Sequence, residues 1–213
     1  MASTRALRAA TVGVAEHGNS AVLVTLATRG ELLDRRRVDL TEPELPTYPH
    51  HHQGSWAVGR YLDSPWARPI SLADALALVE RVRESATRGA RQALAALTAT
   101  VPVPITHIAI RECPKLPPTT QQRIADNRAQ TVADSVMYRE ALAGAAQACG
   151  WSVHWYDREQ VFRDAAAALD ADVNAYLNAM GRSIGPPWQA IHKLAAAAAL
   201  AATGRTTGRR SGA

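Results

Sequence analysis

The sequence has little cysteine. Cys113 and Cys149 are the only two, far apart in a 213-residue chain, which excludes a disulfide framework and a cysteine-based metal motif. They are expected to be buried or half-buried thiols in a reducing compartment. Long apolar runs are also missing. The nearest candidate, Leu194–Ala202, is short and mostly alanine, against the ~18–20 uncharged residues of a membrane-spanning helix. The opening MASTRALRAATVGV lacks an apolar core followed by a small-residue cleavage site. These absences predict a cytoplasmic protein with no membrane partner. No GxGxxG, Walker or GxSxG motif occurs, so dinucleotide, P-loop and α/β-hydrolase chemistries lack their residues. Lysine is nearly absent: only Lys115 and Lys193 contribute to the 24 basic residues. The arginine excess therefore reads as compositional bias, not as selection for phosphate contacts.

What is present suffices for one domain. The chain is 47% hydrophobic and 20% charged, which supports a sizeable core and excludes wholesale disorder. The net charge of +5 suggests a nucleic-acid binder, but its location matters. Arg5, Arg8, Arg205, Arg209 and Arg210 lie in two ends without acids. Setting these five aside from 24 leaves 19 basic residues against 19 acidic ones. The body is formally neutral, flanked by a flexible basic N-terminus (1–10) and a flexible basic tail (204–213).

Thr11–Ala15 and Ala21–Ala27 are β-rich runs around Glu16-His17-Gly18-Asn19-Ser20, which reads as a turn. Glu31–Leu40 makes a third strand, predicting an antiparallel meander. The stretch 41–70 is rich in proline and aromatics and has no periodicity, so it reads as an ordered insertion. Ser71 with Asp74 resembles a helix cap and opens a helix to about Leu97, with Leu72, Leu76, Val79, Val82, Ala86, Ala90, Ala93 and Leu97 on one stripe. Ile105–Ile110 is a covered strand. Thr119 with Gln122 is a capping box for a helix ending near Gly150. Trp151–Tyr156 is a strand and Arg158–Leu169 a helix. Asp170–Pro187 holds a short helix, and Trp188–Ala202 is an alanine-rich helix ended by Gly204. This order predicts an α/β domain with a mixed sheet flanked by helices over residues 11–203.

Four stretches carry a family resemblance. They are Thr11-Val-Gly-Val-Ala-Glu-His-Gly18, Ile108-Ala-Ile-Arg-Glu-Cys113, Tyr156-Asp-Arg-Glu-Gln-Val161 and His192-Lys-Leu-Ala-Ala-Ala-Ala198. With the element order, over roughly Thr11 to Ala202, they resemble the ribonuclease H-like superfamily, and within it the RuvC-type Holliday-junction resolvases. The resemblance implies a ribonuclease H-like mixed sheet and phosphodiester cleavage with two divalent metals, Mg²⁺ or Mn²⁺. It also implies structured DNA or RNA as partner, and a homodimer. Separately, Arg128–Arg139 with Gly185-Pro-Pro-Trp188 is similar to an actinobacterial protein family, which implies no function.

Two-metal chemistry requires hard oxygen ligands converging from several elements. The family's central-strand glutamate maps to Glu112. Its first-strand aspartate is replaced, with Ala15 or Glu16 in that neighbourhood depending on register. On the last helix, Gln189 and His192 stand at i, i+3 where the family has acids. Catalysis is therefore expected to use Glu16, Glu112 and His192, with metal held by Glu16, Glu112, Gln189, His192 and Asp157. Four of these five also have a plain structural role available. Glu112 could pair with Arg111, Glu16 could be a solvated turn residue, His192 a packed histidine and Asp157 the cap of the next helix. His50-His51-His52 reads as a polar loop segment under Trp56 or Trp66, and His107 and His154 read as core histidines. The leading expectation is a domain acting on or binding structured nucleic acid, with metal-dependent endonuclease activity. The alternative is a catalytically degenerate binding or assembly subunit of the same fold, favoured by the missing acids and neutral body. A protein partner held through 41–70 is a third reading.

Overall fold

The computed structural model describes residues 9–51 and 70–208, with side chains through residue 203. Of the expected flexible ends, 1–8 and 209–213 lie outside the described residues, while Ala10 belongs to the first strand and 204–208 to the last helix; most of the 41–70 insertion, including His52, Trp56 and Trp66, also lies outside. Strands β1 (Ala10–His17), β2 (Ser20–Ala27) and β3 (Leu32–Asp39) form the expected antiparallel meander. Gly18, with φ of 57°, supplies the positive dihedral of a two-residue turn. That turn is shorter than the sequence suggests. Glu16 and His17 belong to β1, paired with Ala21 and Ser20, so Glu16 is a strand residue and not a turn residue.

Helix α1 (Leu72–Thr100) begins at Ser71, whose hydroxyl accepts the Asp74 amide at 3.1 Å. It stops where Pro102 and Pro104 disallow continuation. Its buried stripe is partly different from the expected one. Leu78 and Leu94 are inside, whereas Leu72 is exposed and Leu76 and Ala93 sit at the margin. Strand β4 (Ile105–Arg111) follows. The single helix expected after Thr119 is split into α2 (Thr120–Ala125), with its capping box, and α3 (Asn127–Ala148). Between them the Asp126 carboxylate takes the amides of Arg128 and Ala129 at 2.8 and 3.0 Å, which holds its own backbone extended.

Strand β5 (Ser152–Tyr156) leads through a turn to α4 (Val161–Leu169), then α5 (Val173–Ile184) and α6 (Ala190–Gly208). Asp157 is not the cap of α4, which begins later than expected. Its Oδ1 accepts the Glu159 amide at 2.8 Å and shapes the turn before the helix. Helix α6 runs through Gly204 to Gly208; one interior glycine costs only ~1 kcal/mol relative to alanine.

The five strands lie in the order β3-β2-β1-β4-β5, with β4 and β5 parallel to the central β1. Alternation along each strand sorts side chains onto two faces. Val12, Val14, Ile108 and Ile110 pack beneath α1 and α3. Ala15, Ala109 and Tyr156 pack beneath α4 and α6. Gly13 faces α6 so closely that a Cβ there would sit 1.8 Å from the Ala195 carbonyl oxygen. Glycine on the strand and the buried run Ala195–Ala199 on the helix therefore allow backbone-to-backbone approach. Each fully buried leucine or valine adds ~1.5–3 kcal/mol, and Leu23, Leu26, Leu94, Leu97 and Leu142 are among them. Among the described residues no helix is long and apolar enough to cross a membrane.

Candidate functional site

The carboxyl ends of β1, β4 and β5 meet at one edge of the sheet, where parallel strands open a crevice. Glu16 lies near the end of β1. Strand alternation turns it toward α3, the face shared with Val12 and Val14, whereas Ala15 faces α6. From α3, Arg139 meets it in a nearly closed space, the two side chains being 6% and 7% exposed. Arg139 Nε donates to Glu16 Oε1 at 2.7 Å, and Nη2 donates to the same oxygen. Nη1 donates to the Glu112 carbonyl oxygen at 2.8 Å. One guanidinium thus joins the ends of β1 and β4 to α3 through charge-assisted bonds.

The neighbours of this pair are structural. Tyr156 donates its hydroxyl to the Val14 carbonyl oxygen at 2.8 Å. Burial, with the Glu16 charge second, holds that phenol well above its usual acidity range. The Cys113 thiol, half-buried next to Arg139, is also pushed up, chiefly by desolvation. Desolvation thus favours its protonated form. Cys149 is exposed, contrary to the expected half-burial.

The carboxylate of Glu112 is exposed just beyond β4. It lines a cleft of about 630 Å³ with Asp157, Glu159, Arg111, Arg139 and Arg158. Gln189 and His192 lie elsewhere, in a cleft of about 550 Å³ shared with His17, Arg37 and Pro187. His192 Nδ1 accepts the Gln189 amide at 3.2 Å, and its ring rests 5.8 Å from Trp188. Desolvation lowers its pKa, and the Arg35 charge lowers it further. His192 is thus a packed histidine closing the start of α6. His107 and His154 are not core residues: they are part-exposed and lie across adjacent strands with rings 5.1 Å apart.

Glu112 and Asp157 therefore share one cleft, Glu16 is bonded to an arginine, and Gln189 and His192 belong to another cleft. Among the described residues, no group of three or more His, Cys, Asp or Glu side chains is placed to hold a metal ion. Mg²⁺ or Mn²⁺ needs several oxygen donors with negative charge to spare. Here Glu16 is already neutralised by a fixed cation, and Ala15, on the α6 face, offers no oxygen. Among the described residues, the side chains expected to hold the metal do not converge on one divalent-metal centre.

Two important groups escaped sequence reasoning. Arg139 could have been flagged, because it interrupts the apolar stretch Val136–Leu142 on the inner side of α3. His50 lies in the loop, as expected, but is wholly buried and held by a partner the sequence does not announce. Its backbone amide and ring Nδ1 both bond Asp134 Oδ1, at 3.0 and 2.6 Å, and Nε2 has no hydrogen-bond partner among the described residues. Asp134 lies 84 positions away, so no local pattern announces it.

The sheet order, the meander and the helices on both faces define an α/β fold of the ribonuclease H-like type. Among solved structures, the chain is similar to RuvC from T. thermophilus in complex with a Holliday junction substrate. That match has TM-score 0.53 and 14% identity, covering 94% of this chain and 97% of that one. A second structure of Thermus thermophilus RuvC gives TM-score 0.50 and 16% identity, over 93% and 96% of the two chains. No family model and no curated protein sequence matches, so the actinobacterial resemblance receives no support.

Proposed function

We propose that this chain is a catalytically degenerate ribonuclease H-like domain, a binding or assembly subunit that holds structured nucleic acid without cutting it. The observation that carries the reading is the closed Glu16–Arg139 pair. It puts a permanent positive charge among the expected metal ligands. A metal-dependent nuclease needs those oxygens free to take divalent ions and to stabilise charge developing on the phosphate. Arg139 bonds Glu16 Oε1 within the chain, so that carboxylate already has its counter-charge without an ion. Support for nucleic acid as the partner comes from the fold itself and from a neighbour solved with a Holliday junction.

The test is paired. Fluorescence anisotropy with a four-way junction, a duplex and a single strand of matched length measures binding. Incubation of each with Mg²⁺ and with Mn²⁺ measures cutting. Binding that prefers the junction, with no cleavage in either metal, is the expected result. Cleavage abolished by Glu112→Gln would restore the nuclease reading, and equal non-binding of all three substrates would remove nucleic acid as the partner.

A further inference from the structure

We infer that the smaller cleft at this edge of the sheet is a pocket for one unstacked nucleotide unit of a nucleic-acid strand. The inference rests on the binding function proposed above and names what that site takes. The cleft holds about 410 Å³ between the ends of β1 and β4, the start of α4 and the first turn of α6. Its walls are aromatic and apolar, formed by Phe162, Ile191, Leu194 and the ring of Tyr156. The Tyr156 hydroxyl is turned away into its bond with Val14, so the largely buried ring meets the cleft with no free polar group. Arg111 and Arg158 also line the cleft, and among the described residues neither has an ion-pair partner. Among the described residues, Glu16 is the only carboxylate in the lining, and Arg139 compensates it. Two unspent positive charges therefore stand over an aromatic wall. Glu112, Asp157 and Glu159 line the adjoining 630 Å³ cleft, which shares Arg111, Tyr156 and Arg158. They direct a phosphate toward the smaller cleft and away from their own.

A planar base with a phosphate matches this distribution. The base stacks on Phe162 and Ile191, and the phosphate is held by Arg111 and Arg158. Bases in a duplex have no free face to offer, so the occupant is one splayed from its stack, as at a junction or a single-stranded end. The same chemistry exists in a free nucleotide, so the experiment includes both sources.

Full-length protein is titrated calorimetrically with AMP, adenosine, ribose 5-phosphate and the trinucleotide d(AAA). The expected order is d(AAA) tightest, then AMP, with adenosine and ribose 5-phosphate weaker than AMP. Arg158→Ala, on an exposed side chain, should weaken AMP and d(AAA) about tenfold and leave adenosine unchanged. Phe162→Leu should weaken AMP and adenosine alike, by about fivefold or more, the lower end of base–aromatic stacking. Folding of both variants is checked by circular dichroism. AMP and d(AAA) affinities unmoved by both substitutions would overturn the pocket. Equal affinity for AMP and d(AAA) would overturn the strand as the source. A wild type that binds AMP in this pattern but ignores the four-way junction would instead remove the binding function and leave the pocket. Unchanged junction binding by the double variant Arg158→Ala/Phe162→Leu would do the reverse.

Discussion

Replacing Arg139 with methionine isolates the charge that closes the candidate site. Methionine is unbranched and fills much of the same space, so the main loss is the cation. Glu16, 7% exposed in the wild type, is then a buried carboxylate without a counter-charge. Removing one member of a buried pair typically costs ~3–5 kcal/mol. The lost bond to the Glu112 carbonyl oxygen adds to that cost. At ~2–4 °C per kcal/mol, a loss of ~3–5 kcal/mol lowers the melting temperature at pH 7 by ~6–20 °C. Thermal and urea unfolding followed by circular dichroism read the loss. The double variant Glu16→Leu/Arg139→Met should return to within ~1 kcal/mol of wild type, since an apolar pair of similar volume replaces a buried ionic one at little cost. A loss below ~1 kcal/mol at pH 7, or a double variant no better than the single one, would refute the assignment of Arg139 as the built-in cation.

Gly13→Ala should abolish cooperative folding or cost more than ~4 kcal/mol, because the added Cβ meets the Ala195 carbonyl oxygen at 1.8 Å and α6 must lift from β1; a melting curve within ~1 kcal/mol of wild type would contradict that packing. Asp134→Ala should cost ~3 kcal/mol or more by stranding the amide and the ring N–H of His50. Hydrogen exchange at the His50 amide should accelerate with it, and unchanged protection there would dissociate Asp134 from holding the 41–51 segment. Desolvation lowers the pKa of His107 and, with Arg35 adding to it, that of His192. The folded protein then binds fewer protons than the unfolded chain, so this contribution is present above the ordinary value of 6.5 and is lost as pH falls below it. Melting temperature should decline from pH 7.5 to 5.5, less steeply in His107→Gln and His192→Gln; identical slopes in all three proteins would remove these histidines as the cause.

Local chemistry made much of the fold legible. The Gly18-Asn19 turn, the Ser71 and Thr119 caps and the β-branched run at 105–110 each depend on neighbours a few residues apart. Errors came where a distant or competing bond prevailed. Asp126 drew two amides to itself and split a helix that periodicity alone would continue. Glu16 passed from turn to strand because the hairpin closed over two residues, not five.

The candidate site divides in the same way. Sequence alone determined the element order, the mixed sheet it builds, the placement of Glu112 just past a central strand, and the shortage of acids at matching positions. Composition also located the excess charge in the two ends, outside a neutral body. Only tertiary structure decided the face to which Glu16 turns. A side chain in a strand points to one face or the other, and a shift of one residue in register reverses the choice. Pairing with Ala21 set that register, turned Ala15 toward α6 and Glu16 toward α3, and brought Arg139 from 123 residues away to bond it. Ion pairing depends on separation in space, which no spacing along the chain records, and so the cation that closes this site became visible only in the folded molecule.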